Sequence, residues 1–191
     1  KLRGDKRAWN EIKEWCETAE VLHTLKNARL GYLGHVHEKN MLDIQSDLTM
    51  FHADFGMHVE EIEPCDLRKR VDAVTDRELK DKKAEIRKSF QFPKQGSDPI
   101  AGPVSEEVLN WSSKVSVALD RMIEDFNLTG CAYYYRGMDG NEYERIIAGM
   151  IVGNSLLTGK GYPMAGEADI KTCVAMLIMD RYKAGGSFSE V

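Results

Sequence analysis

Glu167 sits in the setting that most invites chemistry in this sequence. In "YPMAGEADIKTCVAMLIMDR" (162–181) a short extended segment ends in Ala-Gly-Glu-Ala-Asp, and a mostly apolar helix starts directly on that acidic pair. Two readings of the pair stand. Glu167 or Asp169 complements the helix dipole, worth about 0.3–1 kcal/mol, or Glu167 points into an active site. Gly166 favours the second, because a glycine lets the backbone turn sharply or approach a ligand closely. Lys171 could pair with Asp169 or Glu167 and hold a carboxylate ionised. Glu142 and Glu144, just after "YYYRGMDGN", carry the same two readings, with Asn141 as the cap. Facing Glu167 across a cleft, Glu142 would complete an oxygen-rich pair suited to Mg²⁺ or Mn²⁺ rather than to zinc. Two carboxylates do not complete a metal site, so further ligands are expected beyond Val191.

The five histidines (23, 35, 37, 52 and 58) all lie in the first third. His35 and His37, one residue apart in "GHVHEKNMLD" (34–43), have a spacing that can chelate a metal in a loop, although loop histidines are more commonly solvated. No histidine forms a zinc pattern with a cysteine. Cysteines 16, 65, 131 and 173 make no CxxC pair and read as reduced, mostly buried thiols of a cytoplasmic protein. The run "RELKDKKAEIRK" (77–88) is a charged helix face. The net charge of −5 and the lack of a basic block with interleaved aromatics argue against nucleic acid. The longest apolar runs, such as "IIAGMIVG" (146–153), are too short to span a bilayer. The opening "KLRGDKRAW" is polar and basic with no apolar core after it, so no signal peptide is expected there. A start at Lys1 and an end on "GGSFSEV" lead us to expect an excerpt of a longer protein.

Regular elements must position these groups. Residues 8–25 place Trp9, Ile12, Trp15, Cys16, Ala19, Leu22 and Leu25 on one face of a helix, and its two tryptophans suggest docking against a neighbouring domain or subunit. "ARLGYLGHV" (28–36) reads as a buried strand running into a loop. A helix over 47–56, with Gly56 as its stop, and a strand over 57–64 complete a parallel crossover. The Thr75–Glu78 capping box starts a helix over 76–90. "FPKQGSDPIAGPVS" (92–105) is the clear loop. Ser105 starts the next helix, whose buried stripe is Val108, Trp111, Val115, Leu119, Met122 and Phe126. A strand over 128–136, a helix over 141–157 packed on both sides, and a helix over 168–183 follow. Alternating strands and helices predict an α/β, Rossmann-like, doubly wound and mostly parallel sheet. Ligands of such sheets gather at the strands' carboxyl ends, which here means loops 34–43, 136–143 and 164–169.

Taken together, "PMAGEADIKTCVAMLIMD" with "GGSFSE", "GYLGHVHEKNMLDIQSDLTMFHADFGMHVEEIEPCDLRKRV" and "YYYRGMDGNEYERIIAGMIVGNSLLT" resemble the L-arabinose isomerase family, within the wider group that includes L-fucose isomerase. The resemblance implies a helix leading in from a missing domain (1–27), a Rossmann-like central domain (28–160) and the start of a C-terminal catalytic domain (161–191). It further implies aldose–ketose isomerisation of a small sugar with Mn²⁺ or another divalent ion, in a hexamer or similar homo-oligomer. Glu142, with Glu144 as its alternative, and Glu167 take the places of the two metal-binding, catalytic glutamates. Both family histidines would fall after Val191. Met41 matches a position lining the sugar pocket, and His35 joins it as a substrate contact. The chain departs from the family where Gly-Asp-Trp-Lys becomes Ala168-Asp169-Ile170-Lys171, and its segment around Glu142 is shorter. A sugar-binding or oligomerisation module of the same fold is the alternative.

Overall fold

A computed structural model describes residues 2–35, 43–94, 96–97, 99–100, 102–137 and 140–189. Local signals set most element ends. Asp5 caps α1 (Lys6–Asn27) by accepting from the Arg7 and Ala8 amides. After β1 (Arg29–Gly34), Asp47 caps α2 (Leu48–Phe55), and Gly56 ends it in the left-handed region at φ 77°. Strand β2 (His58–Ile62) leads into α3 (Pro64–Asp72), which no sequence pattern had suggested; Pro64 sits in its first turn, where a missing N–H costs nothing. The Thr75–Glu78 capping box opens α4 (Asp76–Ser89), and the Ser105 hydroxyl, accepting from the Val108 amide, opens α5 (Glu106–Asp125).

Strand β3 (Gly130–Tyr134) follows. The single helix expected over 141–157 is two, α6 (Glu142–Ala148) and α7 (Ile151–Gly159). The reason lies at Gly149. Its amide turns back to the carbonyls of Arg145 and Ile146, and the indole of Trp111 fills the space a side chain would need, 2.7 Å from where a Cβ would sit. Trp111 also donates to the Arg145 carbonyl at 3.1 Å, and the Arg145 guanidinium lies 4.7 Å above its ring. Strand β4 (Met164–Ala165) and α8 (Ile170–Arg181) complete the described elements.

The four strands form one all-parallel sheet in the order β2-β1-β3-β4. The α/β, doubly wound architecture is therefore as expected. Side chains alternate across the sheet. Leu30 and Ala132 point to one layer, packed with Val21 and Leu25 of α1, Phe51 of α2 and Ile170, Cys173 and Leu177 of α8. Leu33 and Cys131 point to the other, against Leu67 and Val71 of α3, Val115, Leu119 and Met122 of α5, and Ile146 and Leu157 of α6 and α7. Within the α5 stripe Val115, Leu119 and Met122 are buried, but Val108, one turn from the helix start, is exposed.

The α1 face is divided between core and solvent. Leu25 is buried with Val21, whereas Trp9, Ile12, Leu22 and, at 74%, Trp15 are exposed. The apolar period of α1 is real, but only its last two turns meet the sheet. Among the described residues no helix is long and apolar enough to cross a membrane.

The order reverses between β1 and β3, the place where sheets of this kind receive ligands at the strands' carboxyl ends. Gly34 ends β1 at φ 86°, and a Cβ on it would lie 2.0 Å from the Tyr134 carbonyl oxygen. Only a glycine lets the two strand ends come this close.

Candidate active site

The acidic pair that opens α8 divides its work. Asp169 is the cap: its carboxylate accepts from the Thr172 amide at 3.0 Å and hydroxyl at 2.7 Å. Glu167 has no part in the cap. It lies in a turn where two successive non-glycine residues are left-handed, Glu167 at φ 56° and Ala168 at φ 55°. Such backbone is uncommon outside glycine. The Ala168 amide donates to the Tyr133 carbonyl of β3 at 3.0 Å, and the Asp169 amide returns to Gly166 at 3.0 Å. Gly166 is covered by Phe188, whose ring would be 2.7 Å from a Cβ there. Lys171 bonds to neither acid; its ammonium donates to the Asp43 carbonyl at 2.6 Å.

Beside this turn stands an aromatic group from the ends of β1 and β3. The His35 amide donates to the Tyr134 carbonyl at 3.0 Å, and its ring lies 6.1 Å from Tyr134 and 5.3 Å from Tyr135. Tyr135 meets Tyr143 edge-on at 5.9 Å and accepts from the Asn141 amide group at 3.3 Å. Asn141 caps α6 through the amides of Tyr143 and Glu144. That cap fixes the phase of the helix and separates its two acids. Glu142, exposed, ion-pairs with Arg68 of α3. Glu144, half-buried, lies near Gly140 and acts on Tyr134. The Tyr134 phenol is raised above its ordinary pKa by burial first and then by the Glu167 carboxylate, with Glu144 adding and Arg136 opposing. Tyr134 thus reports on both Glu167 and Glu144, whereas Glu142 is engaged elsewhere.

On the opposite side of β3 the Tyr133 phenol is pushed up to about 12, by burial first, then by Cys131 and Glu167, with the Asn154 amide opposing. Tyr133–Tyr135 and Arg136 are site residues that no sequence motif singles out. Three tyrosines running off a strand end toward an acidic turn were the available signal. Met41 and His37 lie outside the described residues. His52 and His58 are remote in kind: His52 faces the Met57 carbonyl at 3.3 Å, and His58 faces Glu60 at 3.0 Å.

A carboxylate pair suits a hard divalent cation in donor chemistry. In number it falls short, since among the described residues no three His, Cys, Asp or Glu side chains converge to hold a metal.

Fold and site together define a doubly wound parallel α/β domain with an acidic turn and a group of tyrosines at its strand ends. Residues 40–185 match the family model of the L-arabinose isomerase central domain, and the chain belongs to the L-arabinose isomerase family. That is a family of aldose–ketose isomerases. No curated protein matches the chain.

The raised Tyr133 phenol has a pH signature. Its stabilising contribution is complete below the ordinary phenol pKa of about 10 and is lost as pH rises through about 12. An ultraviolet titration of the native protein minus that of Tyr133→Phe should show one phenolate forming near pH 12; a difference curve centred near 10 contradicts the assignment.

Proposed function

We propose that the protein is a metal-dependent aldose–ketose isomerase acting on L-arabinose or a related sugar, with Glu167 and Glu144 as its working carboxylates. The observation that supports this best is the left-handed turn at Glu167, which takes that residue out of helix capping and sets its charge beside the Tyr134 phenol that Glu144 also faces. Moving a carbonyl from C1 to C2 requires a proton to leave one carbon and reach its neighbour, and a carboxylate close to the substrate serves both transfers. Two carboxylates divide the labour: one carries the proton, and the other holds charge and geometry. Tyr134, kept protonated by its surroundings, can donate a hydrogen bond to an oxygen that gains negative charge through the enediolate. His35, edge-on to Tyr134 and tilted against Tyr135, serves as a substrate contact, and the family resemblance gives Met41 the same role. When bound, a divalent ion such as Mn²⁺ would supply positive charge at the enediolate oxygens. Glu167 and Glu144 would hold it, with the remaining ligands coming from outside the described residues.

The ion pair with Arg68 makes Glu142 the acid that serves structure in this reading. With Mn²⁺ and aldopentose, Glu167→Gln and Glu144→Gln should each lower kcat by about 10²–10⁴, the range for a lost acid–base group, while Glu142→Gln should stay within a few-fold of wild type. Unchanged turnover in Glu167→Gln would falsify the assignment.

A second proposed role, subunit contact, is favoured by the exposed Trp9, Ile12, Trp15 and Leu22 on α1. Exposed apolar side chains of this size, clustered on one helix, mark an interaction surface. The occupant is another copy of this chain, in keeping with the oligomers of the family it resembles. Sedimentation of Trp15→Glu should show a smaller assembly than wild type; identical sedimentation removes this role.

A further inference from the structure

We propose that residues 182–189 form a strap that returns along α8 and that its Phe188 ring clamps the Glu167 turn, which makes Phe188 a positioning residue for that carboxylate. The inference rests on the isomerase reading only for its effect on turnover.

The turn needs a clamp. Positive φ at Glu167 and Ala168, with the Asp169 amide donating to the Gly166 carbonyl at 3.0 Å, is the pattern of a type I′ turn. Glycine, asparagine and aspartate usually carry such turns, because they tolerate left-handed backbone. Here glutamate and alanine hold those positions, so the turn depends on its surroundings. Downstream, the Asp169 cap fixes it, and the Ala168 amide is tied to the Tyr133 carbonyl. On the upstream side the contact is Phe188. A Cβ on Gly166 would meet three atoms of its ring, at 2.7, 3.2 and 3.3 Å. The ring therefore rests on the bare Cα, a position that only glycine leaves open.

The strap is built to deliver that ring. After α8 the chain stops in a Schellman motif. The Ala184 amide donates to the Met179 carbonyl at 3.0 Å and the Lys183 amide to that of Asp180 at 2.8 Å, with Lys183 left-handed at φ 60°. Gly185, at φ 69°, is a second left-handed residue. Gly186 then lies against the side of α8, where a Cβ on it would be 3.5 Å from the Met176 Cα. The chain thus turns back alongside the helix it has just left. From Tyr182 to Phe188 it reaches about 20 Å when extended. That is enough to pass the roughly 18 Å of α8 and arrive at the turn from which α8 begins.

Phe188 alone among residues 181–189 is not exposed. It packs against the layer that holds Ala165 and Met176. On another side a cavity of about 270 Å³, bordered by Tyr133, Ile151 and Thr158, leaves it unsupported. The rest of the strap is solvated, so this one ring carries its attachment to the turn.

Backbone hydrogen exchange of the purified protein tests the clamp. In Phe188→Ala the Ala168 amide should exchange about tenfold faster or more, while the His58 amide, bonded to the Ala28 carbonyl at the far side of the sheet, keeps its wild-type rate. Gly166→Ala should act alike, because its methyl displaces the ring. The double variant should be no worse than the worse single one, as for one shared contact. With Mn²⁺ and aldopentose, Phe188→Ala should lower kcat about tenfold or more and move KM less, since misplacing a reacting group by about 1 Å can cost about 10²-fold. Phe188→Leu, which keeps apolar bulk against Gly166, should recover most of the loss. Unchanged exchange at Ala168, equal acceleration at His58, additive losses, or an unchanged kcat in Phe188→Ala overturns the proposal. Should Gly166→Ala fail to fold, Phe188→Ala and Phe188→Leu decide. Local opening at Ala168 in Phe188→Ala, with a wild-type protein inactive on aldopentoses, would refute the isomerase reading and keep the clamp.

Discussion

One hydrogen bond organises the site. The Ala168 amide reaches the Tyr133 carbonyl at 3.0 Å and ties the end of β4 to the end of β3. Because of that tie the chain crosses two left-handed residues in succession, Glu167 and Ala168, each costing about 1–3 kcal/mol outside glycine. A regular strand-to-helix passage would have handed both acids to the helix dipole. Here only Asp169 caps α8, and the carboxylate two residues earlier is free of that duty. Strain of this kind persists only where the surrounding structure determines it, and the buried Ala165, Ala168 and Ile170 on either side supply that determination.

The topology places this turn where it can act. With β1 and β3 central and their carboxyl ends closely apposed through Gly34, the His35, Tyr134 and Tyr135 rings stand next to the β4 end. The α6 cap then decides which acid joins them. Residues two apart on a helix lie on different faces, so Asn141, by fixing the start of α6, sends Glu142 toward Arg68 and Glu144 toward Gly140.

Much of the scaffold was legible because its signals are local. Asp47, Gly56, the Thr75–Glu78 box, Ser105 and Asn141 each act within a few residues of themselves, and each ends or starts an element where the sequence places it. What was not legible depends on contacts across the chain. The break at Gly149 is made by an indole 38 residues away on α5. Which turns of α1 meet the sheet follows from how far the helix extends past it, which periodicity does not encode. Glu167 was legible as a candidate through Gly166 and the family motif. Where Glu142 and Glu144 point was not, since it turns on helix phase.

The central claim is that side chains 144 and 167 act on one small volume at the strand ends. Titration of Mn²⁺ into the protein, followed by the loss of the free-ion electron paramagnetic resonance signal, tests it most directly. The account predicts that Glu144→Gln and Glu167→Gln each weaken ion binding about tenfold or more, and that the double variant is little worse than either alone, as for two ligands of one ion. Independent, additive losses, or a loss in Glu142→Gln in place of Glu144→Gln, would contradict it.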